Sequence, residues 1–264
     1  MNRISILLII CFISLSCQRY TAHNNVIYSQ SVNDSFEIYI SIPPTYDSNK
    51  SYDVIYYCDA NLKSGKLLRE LIKKKEYAAK VNSIIFVGIG HKGDYHVLRR
   101  RDFILPQIEN GDTLAASVNY GQVEKFYQFL KSELIPSINS TYNTNSNNNS
   151  IVGHSLSGLF VFYCLFKNDS LFTNYYALSP SLWVDYYSIY KFNKLKSGIA
   201  SPKNLYFSTG SLELLNRIKS GTDQMEEFLE TEAYKNLTFM YEVHKGETHN
   251  SQVEYSLKYI LQQK

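Results

Sequence analysis

Short apolar runs recur along the chain and predict a series of β-strands. Residues 36–42 alternate apolar and polar side chains, which is typical of a strand with one buried face. Other runs are continuously apolar or β-prone, which is typical of strands buried on both faces. They are residues 52–58, 83–89, 150–152, 175–178, 204–208 and 237–243.

Helical spacing of apolar side chains fills several of the gaps between these runs. Residues 62–80 and 122–138 carry apolar side chains three and four positions apart, and residues 251–261 end the chain in a further helix. The asparagine-rich residues 143–149 are predicted to form a loop. This alternation predicts an α/β fold, in which a central, mostly parallel sheet is covered by helices on both faces.

Composition limits the size of the fold and its partners. The 264 residues fit one large α/β domain, and 44% of them are apolar, which is enough for a substantial core. The formal net charge of +3 is too small to indicate nucleic-acid binding, and no Lys/Arg stripe alternates with aromatic residues. The expected partner is therefore a small molecule, with no nucleic acid.

The first residues predict export of the chain. A basic start and a short apolar run over residues 4–13 predict a signal peptide over residues 1–16. Small residues before Cys17 resemble a bacterial lipobox, which predicts lipidation of that cysteine; an ordinary cleaved signal peptide is the alternative. Residues 17–30 are predicted to be a tether before the domain at 31–264. The expected location is the cell envelope, as a periplasmic or surface lipoprotein anchored to the membrane by its lipid.

The remaining cysteines are interpreted as structural. Cys11 falls in the predicted signal peptide, while Cys58 and Cys164 lie in apolar runs. An exported protein could pair the last two, but their apolar surroundings favour buried free thiols. No spacing of cysteine and histidine indicates a zinc site.

The strongest chemical signal comes from residues 153–158, Gly-His-Ser-Leu-Ser-Gly. An apolar run precedes this segment and a helical run follows it, so the order is strand, tight turn, helix. A serine at such a turn is exposed at a helix N-terminus, as in the nucleophile elbow G-x-S-x-G of α/β-hydrolases. Ser157 stands where that motif has glycine, and serine is nearly small enough for the close approach. Ser155 is therefore the predicted nucleophile.

A nucleophilic serine needs a base, and the base needs an acid to orient it. In this fold the chain order is serine, acid, histidine. His249 lies in a loop after the last predicted strand, which favours it as the base over His244 at the end of that strand. Glu213 follows a strand and a glycine turn, which favours it as the acid. Asp185 and Asp223 are the alternatives.

Backbone N–H groups are expected to form an oxyanion hole. One donor is predicted at Leu156, directly after the nucleophile. The second is expected in the loop after residues 52–58, where Ala60 and Asn61 are both candidates.

Substrate binding is assigned to three further side chains, at Asp59, Arg99 and Trp183. Residues 99–101 are consecutive arginines followed by Asp102. They could bind an acidic or catecholate-like substrate, or they could form a solvated surface with one internal Arg–Asp pair.

These segments resemble the esterase family of α/β-hydrolases that includes the siderophore esterases of the enterobactin and bacillibactin type. The resemblance runs from about Phe36 to the C-terminus and is most specific in four blocks taken together. The blocks are Gly153-His154-Ser155-Leu156, Leu178-Ser179-Pro180-Ser181-Leu182-Trp183, Gly210-Ser211-Leu212-Glu213 and Gly246-Glu247-Thr248-His249. The resemblance implies Ser155, Glu213 and His249 as a catalytic triad, with no metal or cofactor. Ala60 and Ser157 stand where the family usually has glycine, and Val184 replaces a second tryptophan.

The resemblance also implies a function. It is a serine esterase that hydrolyses carboxylic esters through an acyl-enzyme, with catecholate siderophore lactones as candidate substrates. Because the family also acts on feruloyl and acetyl esters of polysaccharides and transfers acyl groups, a carbohydrate esterase and an acyltransferase are the alternatives. A surface binding protein on an inactive hydrolase scaffold would be expected to lack a triad member.

Overall fold

Eight of the ten strands form one sheet in the computed structural model, which describes residues 21–109, 112–113, 120–213 and 217–263. The strands are β1 (Thr21–Ser29), β2 (Asp34–Ile42), β3 (Tyr52–Cys58), β4 (Ile84–His91), β5 (Ile108–Glu109), β6 (Asp112–Thr113), β7 (Thr144–His154), β8 (Asn174–Leu178), β9 (Lys203–Gly210) and β10 (Leu237–His244). The sheet order is β1-β2-β4-β3-β7-β8-β9-β10, and β5 and β6 pair separately. The sheet is parallel from β4 through β10 in that order, whereas β1 and β2 are antiparallel additions.

Helices cover both faces of this sheet. They are α1 (Lys63–Leu71), α2 (Ala78–Val81), α3 (Tyr95–Phe103), α4 (Val123–Phe129), α5 (Ile135–Thr141), α6 (Leu156–Phe166), α7 (Ile218–Glu232) and α8 (Gln252–Gln262). One buried cluster contains Phe126 and Phe160, from α4 and α6. A second cluster contains Leu68 and Leu257, from α1 and α8. The predicted α/β-hydrolase architecture, with a mostly parallel sheet between two helical layers, is therefore confirmed.

Two predicted helices are interrupted. The helix expected over 62–80 ends at Leu71, after which exposed lysines form a turn before α2. The helix expected over 122–138 runs from α4 through a π-helical segment, Leu130–Leu134, into α5. Pro136 lies in the first turn after that segment and has no N–H to donate, so the regular hydrogen-bond ladder is broken there.

Residues 144–149 of the asparagine-rich segment form the first half of β7, so the prediction of a loop there is wrong. Its amide side chains make hydrogen bonds to neighbouring strands. Asn145 and Asn148 donate to the Asp53 carboxylate at 3.0 and 2.6 Å, and Asn174 donates to the Asn148 side chain at 2.8 Å. These bonds compensate for the low strand propensity of asparagine.

The range predicted as a tether contains β1, which corrects that prediction for Thr21–Ser29. The strand pairs along its length with β2, so its backbone N–H and C=O groups gain partners although its side chains are mostly polar. Glu133 accepts hydrogen bonds from Ser29, Gln30 and Ser31 and holds the turn that follows β1.

The predicted signal peptide at residues 1–16 and the lipidation residue Cys17 lie outside the described residues. Within the described ranges, no helix is long and apolar enough to cross a membrane. Cys58 and Cys164 are buried free thiols, as favoured by the sequence, and burial raises the pKa of both.

Candidate active site

Ser155 occupies the turn between β7 and α6. Its backbone has φ 64° and ψ −118°, a conformation that residues with side chains rarely adopt. A Cβ atom on Gly153 would lie 2.1 Å from the carbonyl oxygen of Ser157, so only glycine fits where the helix returns over the strand. The predicted order of strand, tight turn and helix is present, and it places Ser155 at the N-terminus of α6.

Ser157, which departs from the glycine of the motif, connects the elbow to the loop after β3. Its hydroxyl oxygen lies 2.7 Å from Asp59 Oδ2 and accepts the backbone N–H of His154 at 2.8 Å. Asp59 also pairs with Arg99, whose Nε and Nη2 donate to the two carboxylate oxygens at 2.8 and 3.0 Å. Serine therefore supplies a hydrogen bond here that glycine could not make.

His249 and Glu213 meet at the carboxyl edge of the sheet. The Nδ1 atom of His249 lies 2.7 Å from Oε2 of Glu213, and Glu213 is only 1% exposed. A Cβ atom on Gly210 would lie 2.2 Å from the carbonyl oxygen of Glu247, so glycine lets the loop that carries His249 approach the end of β9. The structure therefore brings together the two residues that the sequence predicts as base and acid.

The environment of Glu213 keeps its carboxylate ionised. Burial by itself would raise the pKa of Glu213, but hydrogen bonds from His249, the Ser179 hydroxyl and the Gly210 N–H outweigh it, so the pKa is lowered. The Ser179 and Gly210 bonds reach Oε1 at 2.7 and 2.6 Å. A carboxylate facing Nδ1 favours a proton on that nitrogen, which leaves Nε2 of His249 free to accept one.

The two alternative acids bind other side chains. Asp185 accepts the Tyr120 hydroxyl at 2.7 and 2.8 Å, and Asp223 pairs with Lys219 at 2.7 Å. The alternative base His244 is buried at the end of β10, where its Nε2 lies 3.0 Å from Ser256.

Ser155 and His249 line the same cavity, which has a volume of about 300 Å³. The hydroxyl of Ser155 lies 3.3 Å from that of Ser181, whose backbone N–H donates to the Ser155 carbonyl.

His154 contacts the loop that carries His249. Its Nε2 lies 2.9 Å from the backbone oxygen of His249. Burial, followed by the nearby His249, lowers the pKa of His154 to about 4, so its ring is neutral at pH 7. The contact is therefore a donation from His154 Nε2–H to the His249 carbonyl.

The structure distinguishes between the two candidates for the second oxyanion donor. The N–H of Ala60 donates to the carbonyl of Ile89 at 3.0 Å, so the prediction of Ala60 as a donor to substrate is wrong. The Asn61 N–H is the remaining candidate. The Asn61 side chain donates to the carbonyl of His91 at 2.7 Å, which fixes this loop against the end of β4. Leu156 is the first residue of α6, where the N–H groups have no partner within the helix.

The predicted substrate-binding residues have different surroundings. Asp59 and Arg99 line the cavity, but they bind each other, and their side chains are only 2% and 14% exposed. Trp183 is 38% exposed and is absent from the described residues that line this cavity. Arg101 and Asp102 form the internal Arg–Asp pair that is the alternative to substrate binding by these arginines.

Three further residues belong to the site although the sequence predicts no role for them. They are Ser179, Ser181 and His154. All three fall within the blocks of family resemblance, and Ser179 and Ser181 directly follow a buried strand. That position at the carboxyl edge is the signal that could have identified them. Within the described ranges, no group of three or more His, Cys, Asp or Glu side chains could hold a metal ion.

Comparison with known proteins identifies the family of this chain. A family model described as "Putative esterase" matches residues 29–257. The ferri-bacillibactin esterase BesA of Bacillus subtilis (strain 168) is 30% identical over 197 residues, which are 70% of this chain and 68% of BesA. The apo-salmochelin esterase of Escherichia coli O6:H1 is 25% identical over 197 residues, covering 72% of this chain and 59% of that enzyme.

Solved structures show the same fold. The BES protein from Bacillus cereus superimposes with a TM-score of 0.79 at 25% identity, covering 99% of this chain and 98% of that one. The enterobactin and salmochelin hydrolase IroE superimposes with a TM-score of 0.68 at 20% identity, covering 92% and 93%. The family model spans most of the chain, and the fold is that of solved structures of siderophore hydrolases. The chain therefore belongs to this esterase family of α/β-hydrolases, a family of carboxylic ester hydrolases.

Proposed function

We propose that this protein is a serine esterase that hydrolyses an ester bond of a siderophore through Ser155, His249 and Glu213. The observation that carries the proposal is the 2.7 Å contact between His249 Nδ1 and the buried Glu213 carboxylate, beside a cavity that Ser155 also lines. The substrate class is supported by the similarity to esterases named for ferri-bacillibactin and apo-salmochelin.

The proposed reaction begins with attack of Ser155 Oγ on the ester carbonyl carbon. His249 Nε2 accepts the serine proton, and Glu213 stabilises the imidazolium that forms. The resulting oxyanion accepts hydrogen bonds from the N–H groups of Leu156 and Asn61. Collapse of this intermediate breaks the ester C–O bond, and the leaving alcohol takes the proton from His249. Water then attacks the acyl-enzyme by the same steps, which releases the acid and frees Ser155.

In the structure, the Ser155 hydroxyl is turned toward Ser181 at 3.3 Å. Hydrogen bonds of catalytic groups often reach their working geometry only when substrate is bound. The proposed mechanism requires the Ser155 side chain to rotate away from Ser181 and toward His249, which lines the same cavity as Ser155.

The lining of the cavity suits an anionic ester with apolar parts. Lys63 and Arg99 bring positive charge; among the described residues, Arg99 pairs with the Asp59 carboxylate, whereas Lys63 has no carboxylate in an ion pair with it. Leu67 and Tyr95 add apolar surface. A catecholate lactone combines aromatic rings with negative charge, so these walls match it better than an acetylated sugar.

Turnover of a chromogenic short-chain ester tests the chemistry. We expect Ser155→Ala to lose nearly all activity, by a factor on the order of 10⁵ to 10⁶. Ser137→Ala, an exposed serine on α5, should match the wild type. Equal turnover by Ser155→Ala and the wild type would contradict the proposal, and negligible turnover by both would favour a binding protein on an inactive scaffold.

A substrate panel tests the class of ester. Iron-free and iron-bound siderophore lactones should give the highest kcat/KM, ahead of feruloyl and acetyl sugars. Preference for the sugars would favour a carbohydrate esterase. Transfer of the acyl group to an added alcohol in place of water would favour an acyltransferase.

We also propose that the protein is exported and anchored to a membrane through a lipid on Cys17. The basic start and the short apolar run before this cysteine support the proposal. Labelled palmitate should be incorporated by the wild type in a bacterial host and lost in Cys17→Ala. Incorporation that survives the substitution would refute anchoring at that residue.

A further inference from the structure

A chain of buried polar side chains extends from Glu213, and none of its members is among the described residues that line the cavity. Four of its members are fully buried, and the fifth is 9% exposed. In order from Glu213 they are Ser179, Gln252, Ser208 together with Ser256, and His244. They come from the end of β8, from α8, from β9 and from β10, so the chain of bonds joins four elements at the carboxyl edge of the sheet.

The distances are those of good hydrogen bonds. The Ser179 hydroxyl lies 2.7 Å from Glu213 Oε1, and Gln252 Nε2 lies 2.8 Å from Ser179 Oγ. On the other side of the amide, Gln252 Oε1 lies 2.6 Å from Ser256 Oγ and 3.1 Å from Ser208 Oγ. Ser256 Oγ lies 3.0 Å from His244 Nε2. No member depends on solvent for its partner.

The chemistry of the groups fixes the direction of the bonds between Glu213 and Gln252. An ionised carboxylate can only accept, so the Ser179 hydroxyl donates its one proton to Glu213 and must accept from the Gln252 amide nitrogen. Gln252 Oε1 then faces the hydroxyls of Ser256 and Ser208 as an acceptor. From the Gln252 side chain to the carboxylate, each donation points toward Glu213, and bonds aligned in this way polarise one another.

Gln252 also connects the acid to the base. It is the first residue of α8 and lies three residues after His249, and its backbone N–H donates to the carbonyl of Thr248. The Ser179 hydroxyl, which donates to Glu213 Oε1, therefore accepts a hydrogen bond from the same segment that carries His249. A carboxylate held in this way has its other oxygen, Oε2, directed at His249 Nδ1.

We propose that Gln252 and Ser179 are positioning residues, which act through Glu213 to keep His249 in its productive orientation. The proposal rests on the proposed triad, because positioning matters only if Glu213 orients a working base. Neither side chain lines the cavity, so both should affect kcat rather than substrate binding.

Two variants and one matched control test the proposal on a chromogenic short-chain ester. Ser179→Ala removes the donor to Glu213, and we expect kcat to fall about tenfold; Gln252→Met removes the next donor, and we expect about fivefold. KM should stay within about twofold of the wild type because ground-state binding is unaffected. Ser188→Ala is the control, since Ser188 is a buried serine whose hydroxyl has no hydrogen-bond partner in the described structure.

A double-mutant cycle separates positioning from a general loss of structure. In a Glu213→Gln background, Gln252→Met should have little further effect on kcat, because the group through which it acts is already gone. The same fivefold loss in both backgrounds, or an unchanged kcat in both single variants, would overturn the proposal. If Gln252→Met does not fold, Ser179→Ala, which removes one oxygen atom, carries the same cycle. Full activity of Ser155→Ala would instead refute the underlying triad.

Discussion

Replacing Glu213 with glutamine gives a sharp test of the acid, because the structure fixes how the new amide would sit. Oε1 of Glu213 accepts the Gly210 N–H at 2.6 Å and the Ser179 hydroxyl at 2.7 Å. A glutamine would keep its oxygen at that position, since an amide nitrogen there would face the Gly210 donor. Its NH₂ group would then point at His249 Nδ1.

This orientation gives the histidine the wrong tautomer. Nδ1 of His249 would have to accept from the amide, so the ring proton would move to Nε2, the atom that should receive the proton of Ser155. The variant also lacks the negative charge that stabilises the imidazolium. We expect kcat to fall by about 10³ to 10⁴, which corresponds to about 4 to 5.5 kcal/mol of lost transition-state stabilisation.

The assay is steady-state hydrolysis of a chromogenic short-chain ester at pH 7, with thermal unfolding measured in parallel. Asp223→Asn is the matched control, because it makes the same carboxylate-to-amide change at a residue that pairs with Lys219 on α7. It should keep near-normal kcat. A folded Glu213→Gln variant within tenfold of wild-type kcat would refute the role of Glu213 as the orienting acid.

Three further predictions concern groups around the triad. Arg99→Lys cannot keep both bonds to the buried Asp59 carboxylate, so the free energy of unfolding in urea should fall by about 1 to 3 kcal/mol; an unchanged value would contradict this. The folded-state pKa of His154 is about 4, below its ordinary 6.5, so the folded chain binds fewer protons and stability falls as the pH drops from 6.5 to 4. When urea unfolding is measured at several pH values across that range, His154→Gln should lose less stability than the wild type. An equal loss would refute burial of a neutral ring. Gly210→Ala should displace the loop that carries His249 and lower kcat on the order of 10², whereas wild-type turnover would show that the loop tolerates a Cβ atom there.

The sequence predicts the sheet well where burial alone decides the structure. Strands such as β3 and β4 are buried on both faces and read as continuous apolar runs. Ser155, Glu213 and His249 are predicted from the sequence because each follows a strand, and the carboxyl ends of parallel strands meet at one edge of a sheet. Glycine is also a local signal of the elbow, because the close approach of helix and strand leaves no room for a Cβ atom there.

Features that depend on distant partners could not be predicted in this way. The strand at Thr21–Ser29 has few apolar side chains and exists through its pairing with β2. The choice between Ala60 and Asn61 depends on a carbonyl of β4, which lies far along the chain. Ser179 and Gln252 acquire a role only when β8 and α8 meet beside Glu213, and no local pattern marks that contact.

Covalent labelling tests directly whether Ser155 is the nucleophile. The wild-type protein would be treated with a fluorophosphonate, and the adduct would be located by intact-mass and peptide mass spectrometry. We expect an adduct on Ser155 that is absent in Ser155→Ala and forms much more slowly in His249→Ala. An adduct at another residue, or equal labelling of the wild type and Ser155→Ala, would contradict Ser155 as the nucleophile.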